Sequence, residues 1–267
     1  MVKSLKEILW EMGDVGQRMS QINATEGASG NFSVFVQELP DIDSRWCEQG
    51  EISLPLPAPA LSGGWVIVTG SGRRERDLAH NPELVICLLH IHSGGETAAV
   101  YAADALVKPT SELNSHLGVH NDQVARRALN YHAIVHAQPV HLTYLSHIDR
   151  YADTVAFNRR LLRWQPETIV EFPQGIGVVP FYVPNSPQQA ENTIEGLRNH
   201  RAVIWRQHGI VTRNDHSLRS AGDLVEYAEA AAQYECLNLR AGEPTVGLSD
   251  EQLRQICLYF GINQPFF

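Results

Sequence analysis

The sequence is short of positive charge, of paired cysteines and of long apolar runs, and each shortage closes off a class of function. Lysine and arginine number 21 against 30 aspartates and glutamates, a formal net charge of -9. Nucleic acid and anionic membrane surfaces both require a basic footprint, so neither is expected as a partner. A small anionic substrate stays open, because a site can be locally positive inside an acidic protein. The four cysteines (Cys47, Cys87, Cys236 and Cys257) are scattered and form no C-x-x-C. Cys47 sits in a loop-like segment and Cys87 and Cys257 among apolar residues, the pattern of reduced structural thiols. No window approaches the roughly eighteen uninterrupted apolar residues of a membrane span. The opening stretch "MVKSLKEILWEMGD" carries acidic residues and has no long apolar centre, so it does not read as a secretory signal. A cytoplasmic protein of enzyme size is expected. There is no internal repeat and no low-complexity linker.

The 267 residues are 43% hydrophobic, enough for one large globular domain or two small ones, and one domain over 1–267 fits better. Leu5, Ile8, Leu9, Met12, Val15, Met19 and Ile22 recur at three- and four-residue steps and predict an amphipathic opening helix. "EGASGNFSVFV" predicts a glycine-rich turn feeding a strand in which Phe32, Val34 and Val36 alternate. Residues 39–64 predict an excursion or hairpin, and "GWVIVTGSG" a buried strand ending in a tight turn. "ELVICLLHIHSGGETAAVYA" predicts a hairpin around Ser93–Gly94–Gly95. After "PTSE" a helix is predicted, with Leu113, Leu117, Val124 and Leu129 on one side. Strand "AIVHA", helices after Pro139 and near 153–164, and strands "TIVEF" and "GVVPF" follow. A helix over Ser186–His200, strand "AVIWRQHG", a long helix over Ser217–Gly242 and a last one near Asp250–Tyr259 complete the chain. The alternation with short hairpins predicts an α/β fold: a three-layer α/β/α sandwich around a mixed, mainly antiparallel sheet.

Three short turns carry the first chemical signal: "SGNFS" (29–33), "TGSG" (69–72) and "PTSE" (109–112). Such turns present converging backbone N–H groups and short hydroxyls, which hold phosphate without a large charged pocket. Singly each is ordinary turn chemistry; together they point to a phosphate-sized anion site.

Histidine carries the second. In "VHAQPVH", His136 and Gln138 are i and i+2 on a strand and leave the same face. His208 ends another predicted strand in "WRQHG" and is followed by glycine, which admits close backbone approach. Two strand-end histidines with a neighbouring carboxylate can make a zinc site with positions open for substrate. A buried histidine that merely hydrogen-bonds in the core is the competing reading. "LLHIHS" offers a tighter H-x-H, but there Leu89 and Ile91 alternate with His90 and His92 beside a turn, which places the two histidines on an outer face.

"SGNFS", "TGSG", "PTSE", "VHAQPVHL" and "QHGIV", in this order, resemble the class II aldolase/adducin family. "FPQGIGVVPFYVP" and the long excursion before "VIVTGSG" are similar to its L-rhamnulose-1-phosphate aldolase branch. The likeness runs from the first helix to the long penultimate one. It implies a zinc-dependent α/β sandwich, one zinc per subunit of a ring-shaped homotetramer, that cleaves a ketose 1-phosphate to dihydroxyacetone phosphate and an aldehyde. Carried over residue by residue, Asn31, Ser71, Gly72, Thr110 and Ser111 fall on phosphate- and ketone-binding positions, with Gly30 shaping the first loop. His136 and His208 fall on zinc ligands, Glu112 on the catalytic carboxylate, and Glu167 on a second acidic residue near the aldehyde end. The glutamate of "PTSE" leans toward aldolase, since the epimerase relatives carry aspartate there.

Two positions depart from that pattern. Ala28 stands where the branch has a phosphate-binding asparagine, and Gln138 where the family has its middle zinc histidine. Gln138 could offer its carbonyl oxygen, a poorer zinc ligand than imidazole that leaves the metal more weakly held, or His141 could swing in as a substitute ligand. The chemistry explains the inventory: cleavage of C3–C4 leaves negative charge on the dihydroxyacetone phosphate fragment, which a Lewis acid offsets. A carboxylate must move a proton at C3, and phosphate turns orient the reacting carbon. No lysine sits in a comparable constellation, which argues against a Schiff-base route. The expected substrate is L-rhamnulose 1-phosphate, giving L-lactaldehyde as the aldehyde. The alternatives are an aldolase or epimerase for another phosphosugar, and a non-catalytic, adducin-like module that has lost the metal.

Overall fold

A computed structural model describes residues 3–40 and 42–267. Met1 and Val2, which begin the stretch read against a signal sequence, and Asp41, in the expected excursion, lie outside the described residues. Among the described residues nine strands form one sheet: β1 (Asn31–Val36), β2 (Cys47–Ser53), β3 (Trp65–Thr69), β4 (Ile86–Ile91), β5 (Thr97–Ala102), β6 (Tyr131–Ala137), β7 (Gly177–Val179), β8 (Ala202–Trp205) and β9 (Gly209–Asn214). Their order is β2-β5-β4-β3-β1-β6-β9-β8-β7. Every pairing is antiparallel except β7 with β8. The mixed, mainly antiparallel sheet is the one the alternation predicts.

The helices are α1 (Leu5–Gln21), α2 (Leu113–Arg127), α3 (Val140–Leu145), α4 (Thr154–Leu161), α5 (Pro166–Glu171), α6 (Pro187–Asn199), α7 (Leu218–Arg240) and α8 (Asp250–Phe260). On one face of the sheet Phe32, Val34, Ile67, Leu88, Ala133 and Val135 pack against α1, α3, α4, α5, α7 and α8. On the other, Phe35, Val66, Val68, Leu89 and Ile134 meet α2 and α6. The period-2 pattern of β1 therefore splits between two cores, which is why its six residues are all buried. No helix among the described residues is long and apolar enough to cross a membrane.

Four expectations need correction. "TIVEF" is helix α5 followed by Phe172, not a strand: Pro166 opens it at the first helical position, and Thr168 and Ile169 are buried. A short apolar run of β-branched residues reads equally well either way, and here packing decides. "AVIWRQHG" is not one strand; β8 stops at Trp205 and a turn leads into the unpredicted β9. Leu129 lies beyond α2, whose end is set by Ala128 in a left-handed conformation. The excursion supplies an edge strand, β2, which holds Cys47 and pairs with β5. β2 is exposed almost throughout and carries Glu48 and Glu51, charge of the kind that blunts a sheet edge.

Candidate active site

The site lies at one end of the central strands and is built by backbone hydrogen bonds between the predicted turns. Ser71 N–H donates to the Lys108 carbonyl at 2.8 Å and Thr110 N–H to the Thr69 carbonyl at 3.0 Å. Thr69 Oγ1 accepts from Phe32 N–H at 3.0 Å, so one threonine ties all three turns together. Gly30 has φ +82°, and a Cβ there would lie 2.9 Å from the His136 carbonyl. Only glycine lets that loop cross β6 at this point.

The resulting cleft encloses about 150 Å³. Every phosphate-site candidate lines it: Gly30, Asn31, Ser71, Gly72, Thr110 and Ser111. So do Glu112, His136, Gln138 and His208, with Ala28, Ser29 and Gly70. Among these lining residues there is neither lysine nor arginine, so an anion here meets N–H groups, hydroxyls and the start of α2. Two candidates stand elsewhere. His141 bonds through Nδ1 to Glu229 Oε1 at 2.7 Å, outside the cleft lining, and so does not replace the missing histidine in this arrangement. Glu167 is exposed on α5 and does not reach the cleft of its own chain. His90 and His92 are half-buried on β4 and just beyond it, His90 stacked on Trp65 and His92 bonded to Thr97, also away from the cleft.

Glu112, His136 and His208 each turn one ligand atom inward, and the three atoms lie within 4.8 Å of one another. His136 Nε2 is 3.5 Å from Glu112 Oε2, and His208 Nε2 is 3.7 Å from Glu112 Oε1. Glu112 is only 5% exposed. That burial opposes its ionisation, but His136, the Asn31 amide and His208 outweigh it and hold the carboxyl below the ordinary glutamate range. Burial, aided by His136, lowers His208 to about 4 and keeps its ring neutral at pH 7.

The donor set fits a divalent metal ion. His136 Nδ1 donates to the Ile210 carbonyl at 3.0 Å, which leaves the Nε2 lone pair facing Glu112 and the cleft. Gln138 adds an amide to the same lining. His208 fits in one of its two tautomers. Its Nδ1 lies 3.3 Å from Gln189 Nε2, while Gln189 Oε1 accepts from Asn185 N–H at 2.8 Å. That orientation places the imidazole proton on Nε2; a turn of the Gln189 amide places it on Nδ1 and frees Nε2 for a metal.

His208 itself sits in the β8–β9 turn after Gln207, whose φ is +64°. Ser146 holds the turn: its Oγ accepts from Gln207 N–H at 2.8 Å and its carbonyl from Arg206 Nε at 3.1 Å. At Gly209 a Cβ would lie 2.4 Å from the Ala137 carbonyl and 3.1 Å from both Gln138 Cγ and His136 Cε1. The glycine after His208 is thus required for β9 to approach β6.

Sequence reasoning missed the residues around these side chains. Gln189 and Ser146 gave no local signal. His116 and His120 did give one, because Glu112, His116 and His120 are i, i+4 and i+8 on one helix face.

The chain belongs to the class II aldolase/adducin family: the model of the "Class II Aldolase and Adducin N-terminal domain" matches residues 11–236. With a Glu/His/His cluster in a cleft of that fold, it is an enzyme of the class II aldolase type. It is 29% identical over 254 residues to the rhamnulose-1-phosphate aldolase of Bacteroides thetaiotaomicron, covering 94% of this chain and 93% of that one. It is 31% identical over 215 residues to the enzyme of that name from Yersinia pestis, covering 79% and 77%. Among solved structures it resembles a sugar-phosphate aldolase from Thermotoga maritima, with TM-score 0.76 and 26% identity over 91% of this chain and 99% of that one.

Proposed function

We propose that this protein cleaves L-rhamnulose 1-phosphate to dihydroxyacetone phosphate and L-lactaldehyde with the help of a zinc ion. The observation that carries the reading is the meeting of three phosphate-type turns with Glu112, His136 and His208 in one cleft. Relatives named for that reaction, over most of their length, support the substrate.

In this reading Asn31, Ser71, Gly72, Thr110 and Ser111 hold the phosphate and ketone end through N–H and O–H donors, fixing C3 beside Glu112. Glu112 moves the proton at C3, taking it in the direction of aldol addition and returning it in cleavage. His136, His208 and the Gln138 carbonyl would hold the metal ion, at the cluster that Glu112 completes. When bound, the ion supplies a Lewis acid for charge developing on the ketone oxygen. Trp205, buried behind the cleft with its ring 4.6 Å from His136 and 5.1 Å from His208, packs against both imidazoles and limits their rotation. A contribution from Glu167 at the aldehyde end requires another copy of the chain, as in the homotetramer that the family resemblance implies.

Gln138 favours a second reading, a binding module of the same fold without metal. Zinc per chain in purified protein separates the two. A panel of ketose 1-phosphates, followed by release of dihydroxyacetone phosphate, tests the substrate. Stoichiometric zinc with cleavage of a different ketose phosphate would keep the enzyme and replace L-rhamnulose 1-phosphate.

A further inference from the structure

Behind the cleft, between α2 and the β1–β6 pair, a file of buried polar groups runs inward from Asn31 and Glu112 through Ser33, His116, His120 and His132, four residues to which the proposed chemistry gives no role. Asn31 Nδ2 donates to Glu112 Oε2 at 2.8 Å. Asn31 Oδ1 lies 2.5 Å from His116 Nε2, and His116 Nδ1 lies 2.6 Å from Ser33 Oγ. Ser33 Oγ is also 2.7 Å from His120 Nε2, and His120 Nδ1 is 2.7 Å from His132 Nδ1. Asn31, Ser33, His116, His120 and His132 are all buried, none more than 7% exposed.

The direction of every bond in this file follows from its outer end. An ionised carboxylate only accepts, so Asn31 turns its NH₂ to Glu112 and its carbonyl to His116. His116 must then carry its proton on Nε2, and its Nδ1 accepts from the Ser33 hydroxyl. That hydroxyl has one hydrogen, so it accepts from His120 Nε2–H. His120 Nδ1 in turn accepts from His132 Nδ1–H, and His132 Nε2 is left as an acceptor without a hydrogen-bond partner in the interior. Burial keeps the three rings neutral, with His116 lowered to about 4 and the other two well below their usual value. The opposite polarity would need a proton on Glu112 and a turned Asn31 amide. Chains polarised in one direction strengthen bond by bond in a low-dielectric interior.

We infer that this file is a one-way hydrogen-bond chain that fixes the Asn31 amide and thereby positions the Glu112 carboxylate, with His116 and Ser33 as positioning residues. The inference rests on Glu112 as the proton-transfer group of the proposed aldolase. The same chain leaves one Asn31 N–H directed away from Glu112 and available to a bound ligand.

The test begins without substrate. Long-range ¹H–¹⁵N correlation on the full chain labelled with ¹⁵N at histidine and asparagine should find His116 and His120 as Nε2–H tautomers and His132 as Nδ1–H. The Asn31 side-chain N–H on Glu112 should resonate downfield of its partner hydrogen. Ser33→Ala cuts the chain in the middle, and should mix the His116 tautomers and shift that Asn31 signal. With substrate, Ser33→Ala and His116→Leu should lower kcat between about 10- and 10²-fold with less than about threefold change in KM, as expected for a misplaced reacting group. His116→Gln, which keeps an N–H near the Nε2 position, should recover most of the loss. His116 found as Nδ1–H in the wild type overturns the proposal, and this measurement stands even if His116→Leu does not fold. So does wild-type kcat in folded Ser33→Ala and His116→Leu with only Tm reduced. A wild type with the stated tautomers but no cleavage of any ketose 1-phosphate would instead count against the aldolase reading.

Discussion

Asn31 and His136 stand directly opposite each other in the antiparallel pair of β1 and β6. The residue that holds Glu112 and the residue that faces it with a ring nitrogen therefore share one rung of the sheet. The carboxylate at the start of α2 lies between them, hydrogen-bonded to Asn31 at 2.8 Å and 3.5 Å from the His136 ring nitrogen.

Glu112→Gln keeps the shape of the side chain and removes its proton-carrying capacity. Turnover should fall by about 10²–10⁴-fold, the usual contribution of general acid–base catalysis. Metal content is measured on the same sample, because Glu112 is one of the three side chains that could hold a metal ion. Near-normal turnover with metal retained would take Glu112 out of the mechanism.

Asn31→Ala should weaken a phosphorylated ketose more than the free ketose, measured as the ratio of the two KM values. Because Asn31 also holds Glu112, kcat should fall for both substrates. A variant with equal KM loss on both and unchanged kcat would reduce Asn31 to a turn residue.

Metal retention tests the altered ligand set. The wild type should lose zinc readily to a chelator, since an amide oxygen is a poorer zinc ligand than imidazole. Gln138→His should hold it more tightly. Gln189→Glu should do so as well, by accepting a hydrogen bond from His208 Nδ1–H and leaving the Nε2 lone pair to the metal. His136→Ala and His208→Ala should abolish both metal binding and cleavage, while His90→Ala and His92→Ala leave both intact. Cleavage unimpaired in the His136 and His208 variants would end the metal-dependent reading.

Glu75 tests the pH dependence of stability. It is 1% exposed, both its oxygens lack hydrogen-bond partners, and burial pushes its pKa up to about 8. Between the unfolded value near 4.5 and about 8 the folded chain holds a proton that the unfolded chain has released. Stability linked to this group therefore falls as pH rises through that window. Glu75→Gln removes the dependence and should stabilise the fold by on the order of 1–3 kcal/mol at pH 7. The gain in Tm should be larger at pH 8 than at pH 5; a gain that is equal at both would mean that the carboxyl is ionised in the folded state.

The opening helix, the central strands and the three turns were legible because each announces itself within a dozen residues. Phe32, Val34 and Val36 alternate, and Gly30 and Gly72 mark positive φ. The site candidates were legible as types, and all but His141 and Glu167 meet in the cleft. What could not be read was set by packing across the chain. Thr168 and Ile169 become helical because α5 lies against α7 and α8, and no local pattern chooses that. Gln189 reaches His208 only because α6 lies where it does. Of the buried file, His116 and His120 were visible as a helix face, but their partners Ser33 and His132 come from strands that only the sheet brings alongside.

The order of the central strands also has a consequence for how the chain acquires its activity. Asn31, Glu112, His136 and His208 belong to β1, the start of α2, β6 and the turn before β9, and the three strands are neighbours only in the finished sheet. Contacts between such distant parts of a chain form slowly, because loop closure must precede any stabilisation they bring. No fragment ending before His208 holds the complete set of donors, and none ending before β9 can pair that turn against β6. On the proposed zinc-dependent reading, zinc uptake during refolding should accordingly lag behind helix formation and coincide with the last cooperative phase, so that the bound ion would report on the native sheet.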